Sequence, residues 1–276
     1  MTDLLRRLAR NPGALTGLCL VAGLVLLALL AGVLAPAPPN RQDWGQRLLP
    51  PSLAHPFGTD EFGRDLLSRT LHGGRVSLLA GFLPVVLGAV IGATLGLAAG
   101  YFGGWLDEGL MRAMDILLAF PSVFLALAIV GALGPGFGNA VVAVAIVSIP
   151  SYARIVRGEV LKLKREEFVE AARTLGARHL RIIVRHVLPN VLSPLIVQAT
   201  LSVGFAILST AGLSFLGLGV QPPTSDWGEM LSSGRKYLPE AWWLEVFPGL
   251  FIMAAVLGVN LLGDGLRDAL DPKLRR

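Results

Sequence analysis

Ala14 to Ala35 carries no charged side chain at all, and neither does Val76 to Phe102. Each is long enough to cross the hydrocarbon core of a bilayer, which takes about 20 apolar residues in a helix. Soluble cores rarely need uninterrupted runs of that length. Only 16% of the residues are charged, where a soluble domain carries about a quarter. The chain therefore reads as an integral membrane protein. In lipid, every backbone polar group must find its partner inside the protein, which leaves helices or a closed barrel. Barrel strands alternate apolar and polar positions. These runs are continuous, so they read as helices.

The apolar runs predict about six spans, near residues 14–35, 77–100, 112–133, 139–156, 190–212 and 246–264. Pro36, Pro38 and Pro39 end the first. Gly134-Pro135-Gly136 makes a turn between the third and fourth, and Pro222-Pro223 breaks the uncharged stretch after the fifth. The first run follows Arg6, Arg7 and Arg10. It is too long for the apolar part of a signal peptide, so it reads as a retained helix. The single cysteine, Cys19, and four scattered histidines offer no metal-ligand spacing.

Orientation follows from the placement of Lys and Arg in loops. Between Arg154 and Arg185 there are nine Lys and Arg against four Glu, a net of +5, which equals the net charge of the whole chain. That loop is expected on the cytoplasmic side. With six spans, the N-terminal arginines and the tail carrying Lys273, Arg275 and Arg276 fall on the same side. A basic surface for nucleic acid is excluded, because the patch is held between two spans. The external segments are then about 36–75 and 213–245. In the first, Thr59 or Asp60 is expected to start, and Gly73 to end, an interfacial amphipathic helix with Phe62, Leu66, Leu67, Thr70 and Leu71 on its apolar face. In the second, Ser225 is expected to cap a short helix, with Trp227, Trp242 and Trp243 at headgroup level.

The basic loop holds the most specific motif. Glu170-Ala171-Ala172 is followed by Gly176 and then by Leu188-Pro189. Gly176 suits a left-handed position ending one helix, and a second helix is expected from about Arg178 to Val187, stopped by Pro189. Ala171 and Ala172 would let a partner approach the backbone, with Phe168, Val169 and Leu175 as apolar anchors. This order resembles the EAA loop of ABC-importer permeases. Arg185-His-Val-Leu-Pro-Asn190, together with residues 55–69 and 260–273, resembles the dipeptide, oligopeptide and nickel branch, in its C-type subunit. The general importer pattern has Ile where this chain has His186.

The resemblance covers essentially the whole chain and implies the all-α type I importer permease fold, with both termini cytoplasmic. It implies a first helix and external loop over 1–75, a permease core over 76–266 with a coupling loop at about 157–189, and a tail over 267–276. Phe168, Glu170, Ala171, Ala172, Gly176, Leu188 and Pro189 would couple to an ATPase. The implied partners are a second homologous permease subunit, two ATP-binding subunits that hold the ATP and magnesium, an extracytoplasmic solute-binding protein, and membrane lipid. The implied cargo is a di- or oligopeptide, or a nickel chelate or glutathione. The implied place is the inner membrane of a bacterium or archaeon.

Several absences and two further features complete the reading. The chain has no phosphate-cradling Gly-x-x-x-x-Gly-Lys-[Ser/Thr] and no catalytic constellation at membrane depth. It reads as a transport subunit without its own cofactor or enzyme activity. Gly88, Gly92, Gly96 and Gly100 recur every fourth residue, a face on which helices can pack backbone to backbone. Gly81 lies one heptad earlier. That face is either a static contact or one that rocks during transport. Asp115 is expected to pair with Arg112 or a cytoplasmic partner rather than to relay protons. A stand-alone secondary transporter would use ionisable residues at the midplane of its spans or broken helices for ion coupling, and Asp115 is the one charged candidate. A non-transporting scaffold is the remaining rival.

Overall fold

The computed structural model describes residues 11–270. The terminal cations Arg6, Arg7, Arg10, Lys273, Arg275 and Arg276, on which part of the orientation argument rests, lie outside the described residues. Among the described residues the regular structure is helical: α1 Pro12–Leu29, α2 Ala31–Leu34, α3 Leu66–Phe102, α4 Gly104–Leu118, α5 Ser122–Leu133, α6 Phe137–Leu163, α7 Glu167–Thr174, α8 His179–Ile182, α9 Leu188–Phe215, α10 Trp227–Gly234 and α11 Trp243–Leu270. Five helical stretches are long and apolar enough to cross a membrane; the stretch 179–215 counts as one of them.

The third expected span, near 112–133, is not one helix. α4 and α5 meet at a bend of 92° around Phe120-Pro121. Pro121 disfavours helical geometry at the residue before it and cannot donate to the preceding turn, so the helix breaks there. α4 is held instead along α6. Arg157 Nε and Nη2 donate to the two carboxylate oxygens of Asp107 at 2.5 and 2.7 Å. Arg154 Nη2 donates to Asp115 at 2.6 Å. Asp115 therefore pairs with Arg154, not with Arg112. Partners 39 and 50 positions apart in the sequence are invisible to a nearest-neighbour reading.

α3 begins eleven residues earlier than expected, so the boundary placed between residues 75 and 76 falls inside it. Asp65 is its N-cap, accepting from Ser68 N at 2.8 Å. The helix runs through Gly73 and Gly74, which are buried against Asp226 and Trp227. Residues 58–65 are turns rather than an interfacial helix. The helix cap in the second external segment is Asp226, which accepts from Glu229 N at 3.2 Å, rather than Ser225.

α3 packs along α6, and α9 crosses both. α1 seats on α11, where Gly17 faces the Gly258 carbonyl. Trp227 belongs to the buried core with Leu24, Ile207 and Ile252 and donates from Nε1 to Thr70 O at 2.9 Å. Trp243 is also buried, whereas Trp242 is exposed. Of the three tryptophans expected at headgroup level, only Trp242 is free to lie there.

Candidate functional site: the elbow, the glycine seam and the opposite cap

The basic loop folds as a helix, a turn and a helix. α7 ends on Gly176, whose φ is +77°. Ala177 N donates to Ala172 O, and Gly176 N to Arg173 O, both at 3.0 Å. These two bonds are the Schellman closure, which satisfies carbonyls that a helix end would otherwise leave bare. Beyond it the chain re-enters a helix at His179. The expected stop at Pro189 does not occur. Ile183–Val187 is a π-turn leading into Leu188-Pro189, at the head of α9. Proline has no N–H to give and its ring crowds the carbonyl four residues back. One extra residue in the turn relieves that conflict, and the helix continues into the membrane.

α7 has two apolar faces. Val169 and Ala172 point inward and pack with Ile182, Val187 and Val191, and with Val156 and Val160 of α6. Phe168, Ala171 and Leu175, at helical spacing on the other side, are exposed, Leu175 at 87%. Ala172 and Val169, expected to face a partner, are thus part of the chain's own core. Glu170 is exposed, Pro189 is exposed and Leu188 is half-buried. Any force on the outer face is passed through Val169 and Ala172 to α6 and α9, because close-packed side chains transmit displacement.

The elbow is tied to the end of α3 as well. Tyr101 Oη lies 3.0 Å from His179 Nδ1. Lys164 Nζ donates to Tyr101 O at 2.7 Å and Gly100 O at 3.2 Å, a cation on the negative end of a helix. Above this point the glycines Gly88, Gly92, Gly96 and Gly100 face α6. A Cβ on Gly88 would meet Ala145 O at 3.1 Å, and one on Gly92 would meet Ile149 O and Tyr152 Cβ at 2.7 Å. One on Gly96 would strike the Ala153 carbonyl, and one on Gly100 would meet Val160 Cβ at 2.8 Å. Gly81 faces Ile207 of α9 instead.

The opposite end of α3 carries a buried ionic cap that sequence reasoning missed. Asp60 accepts from Arg64 Nε at 2.6 Å and from the backbone of Phe62 and Arg64 at 2.9 Å. Arg69 lies 3.5 Å from Asp60 and donates to Glu229 of α10 at 3.2 Å. His55 bridges Asp65 at 3.0 Å and Gln46 at 2.8 Å. Burial, with Asp60 beside it, holds the Glu61 carboxyl above the usual carboxylate range. Burial likewise raises Asp226, against the hydrogen bond from Ser77 Oγ at 2.6 Å. The sequence signal was the density of charge in 60–69 beside apolar residues; charges that dense are either solvated or paired, and here they are paired.

Among the described residues, no group of three His, Cys, Asp or Glu is placed to hold a metal ion.

Residues 92–276 match the family described as the binding-protein-dependent transport system inner membrane component, and residues 1–51 match the N-terminal TM domain of oligopeptide transport permease C. The chain is 48% identical over 270 residues to the dipeptide transport system permease protein DppC of Alkalihalophilus pseudofirmus, covering 98% of this chain and 89% of that one. It is 50% identical over 273 residues to the di/tripeptide transport system permease protein DppC of Pseudomonas aeruginosa, covering 97% and 90%. It is 48% identical over 271 residues to the glutathione transport system permease protein GsiD of Escherichia coli, covering 98% and 89%. The fold is similar to a solved inward-facing structure of the MetNI methionine ABC transporter, with a TM-score of 0.59 and 20% identity over 73% of this chain and 96% of that one.

Proposed function

The chain belongs to the family of inner-membrane components of binding-protein-dependent transport systems, and from that premise we propose that it forms half of an ATP-driven import path for peptides of two or three residues. The relatives named for dipeptides, for di/tripeptides and for glutathione stand at nearly equal identity. Short peptides are the class common to all three. A second homologous permease subunit completes the path, two ATP-binding subunits supply hydrolysis, and a solute-binding protein delivers cargo to the face carrying the buried ionic cap. Both termini and the elbow lie in the cytoplasm. Coupling runs through Phe168, Glu170, Ala171 and the turn at Gly176, with Leu188 and Pro189 passing the motion into α9.

The observation that carries this reading is the outer stripe of α7. Phe168, Ala171 and Leu175 are apolar, exposed and backed by a rigid core, on a loop of net positive charge that lies outside the bilayer. Apolar surface left exposed to water in that way marks a partner site. ATP binding closes the ATPase pair that receives α7, and the packed face of Val169 and Ala172 carries the displacement to α6 and α9.

The test separates the two faces. Ala171→Arg puts bulk and charge on the outer stripe and leaves the core alone. It should insert normally, lose co-purification with the ATP-binding subunits and abolish ATP-driven uptake. A Cβ on Gly176 would touch nothing within 4 Å, so Gly176→Val acts through its positive φ alone. Gly176→Val should uncouple transport, whereas Gly176→Asn, which tolerates a left-handed backbone, should retain most of it. Wild-type docking and uptake by both Ala171→Arg and Gly176→Val would reduce the elbow to a connector.

Sidedness is read separately, with cysteines introduced after Cys19→Ser. Leu53 and Glu240 are exposed on the cap side, and Thr174 is exposed on the elbow. Leu53→Cys and Glu240→Cys should react with an impermeant thiol reagent added outside intact cells, and Thr174→Cys should not. The opposite pattern would reverse the orientation.

A further inference from the structure

A groove between α5, α6 and α9 contains polar side chains that the coupling machinery does not use. Its main cavity has a volume of about 380 Å³ and lies beside Ser148, Ser151, Tyr152, Gln198 and Ser202. An apolar recess of about 130 Å³ continues it past Ser122, Val147 and Phe205, which line both. Gln198, Ser202, Phe205 and Ser209 recur at helical spacing on α9 and form one face. The lining residues include no charged side chain.

Tyr152 is the unusual member. The residue is 0% exposed, and its hydroxyl makes no hydrogen bond. The side chain nearest to pairing with it is Ser202, outside hydrogen-bond geometry; the Ser202 hydroxyl instead donates to Gln198 O at 2.9 Å and accepts from Gln198 Nε2 at 3.3 Å. Ser148 Oγ donates to Val144 O at 2.8 Å. The Tyr152 ring cannot swing away to find water. A Cβ on Gly88 would meet its Cε2 at 3.3 Å, and one on Gly92 would meet its Cβ, so the glycine seam of α3 seats the ring. An unpaired buried hydroxyl costs about 1–3 kcal/mol. Phenylalanine in the same seat would avoid that cost.

We propose that this groove is the peptide-backbone site of the import path, with the Tyr152 hydroxyl the group that hydrogen-bonds the cargo's amide or carbonyl as it passes. The proposal rests on the reading of the chain as a peptide permease. A hydroxyl can donate or accept, so it serves any peptide whatever its side chains. The volume falls within the roughly 300–1,000 Å³ typical of small-molecule sites. A path must bind well enough to admit its cargo and weakly enough to release it. Neutral hydroxyl and amide groups meet that condition, whereas a buried counter-ion would hold a peptide terminus.

The experiment uses the complex with its own ATP-binding and solute-binding subunits in proteoliposomes. In a Cys19→Ser background, Ser151→Cys and Ser202→Cys should react with a water-soluble methanethiosulfonate, and dialanine with ATP should slow that reaction several-fold. Val90→Cys, on an exposed apolar face of α3, should not react. Tyr152→Phe should assemble with its partners yet take up dialanine and trialanine about tenfold more slowly, the loss of one hydrogen bond. Unreactive cysteines at both positions, labelling that dialanine leaves unchanged, or wild-type peptide uptake by Tyr152→Phe would each overturn the proposal. If the unmutated complex imports no peptide at all, the peptide reading itself has failed, and the proposal fails with it; reactive cysteines would then still mark a water-accessible path for another cargo.

Discussion

Gly92→Leu and Gly96→Leu are each expected to leave almost no assembled permease in the membrane. The reason is backbone proximity. Even a methyl group on Gly92 would lie 2.7 Å from Ile149 O and Tyr152 Cβ, and one on Gly96 would strike the Ala153 carbonyl. Side chains can rotate away from an intruder, but a helix backbone in the middle of a packed seam cannot. Overpacking a core by a methylene or two costs about 1–3 kcal/mol, and leucine against backbone should exceed that and force α3 off α6. That contact is the most extensive in the fold, and α3 and α6 also carry Tyr101 and Val156, on which the elbow rests. Gly23→Leu in α1, where a new Cβ has nothing within 4 Å, is the control and should accumulate normally. The measurement is size-exclusion chromatography of the tagged chain with its partners in mild detergent. A monodisperse wild-type peak from both seam variants would mean that α3 and α6 are not packed as described.

Breaking the buried ionic cap is the second large effect. Arg69→Met leaves Glu229 in a dry setting with no cation, its Oε1 accepting only from Ser233 Oγ at 2.8 Å. Removing one partner of a buried pair typically costs about 3–5 kcal/mol, because the other charge stays behind. Glu229→Leu does the reverse, stranding Arg69 with Asp60, which Arg64 already satisfies. Each single variant should lower the thermal midpoint of the complex markedly. Arg69→Met with Glu229→Leu should recover most of the loss, since neither charge then remains. A double variant as unstable as the sum of the singles would show that the two residues act independently. The cap joins the loop 36–65 to α3 and α10, so the same variants should impair delivery from the solute-binding protein even where the chain survives.

Much of the fold was legible in the residues because the bilayer constrains so strongly. Apolar length needs no tertiary knowledge. The Schellman turn at Gly176 was legible too, since few residues other than glycine accept its φ. The reading failed where a residue's fate depended on what lies across from it. Pro189 looked like a stop, but a π-turn ahead of it let the helix continue. Trp227 looked interfacial, but the gap between α1, α3 and α11 took it in. Asp115 looked toward Arg112, one turn back, while Arg154 stood closer in space. The groove was missed because the search in the spans was for charge, whereas the Ser148, Ser151, Gln198, Ser202 and Ser209 pattern carries hydroxyl and amide groups.

The sequence by itself determined that this chain spans a membrane as helices, which end of the basic loop turns at Gly176, and to which family the motifs belong. Those properties follow from side-chain chemistry and local backbone preference, which act over a few residues. The tertiary structure alone decided which faces meet. It turned Ala172 inward and left Ala171 outward, folded the charges of 60–69 into a dry network with Glu229, and seated Tyr152 over Gly88 and Gly92 with its hydroxyl unpaired. Those outcomes depend on volumes and partners brought together from distant positions, and no local preference encodes them.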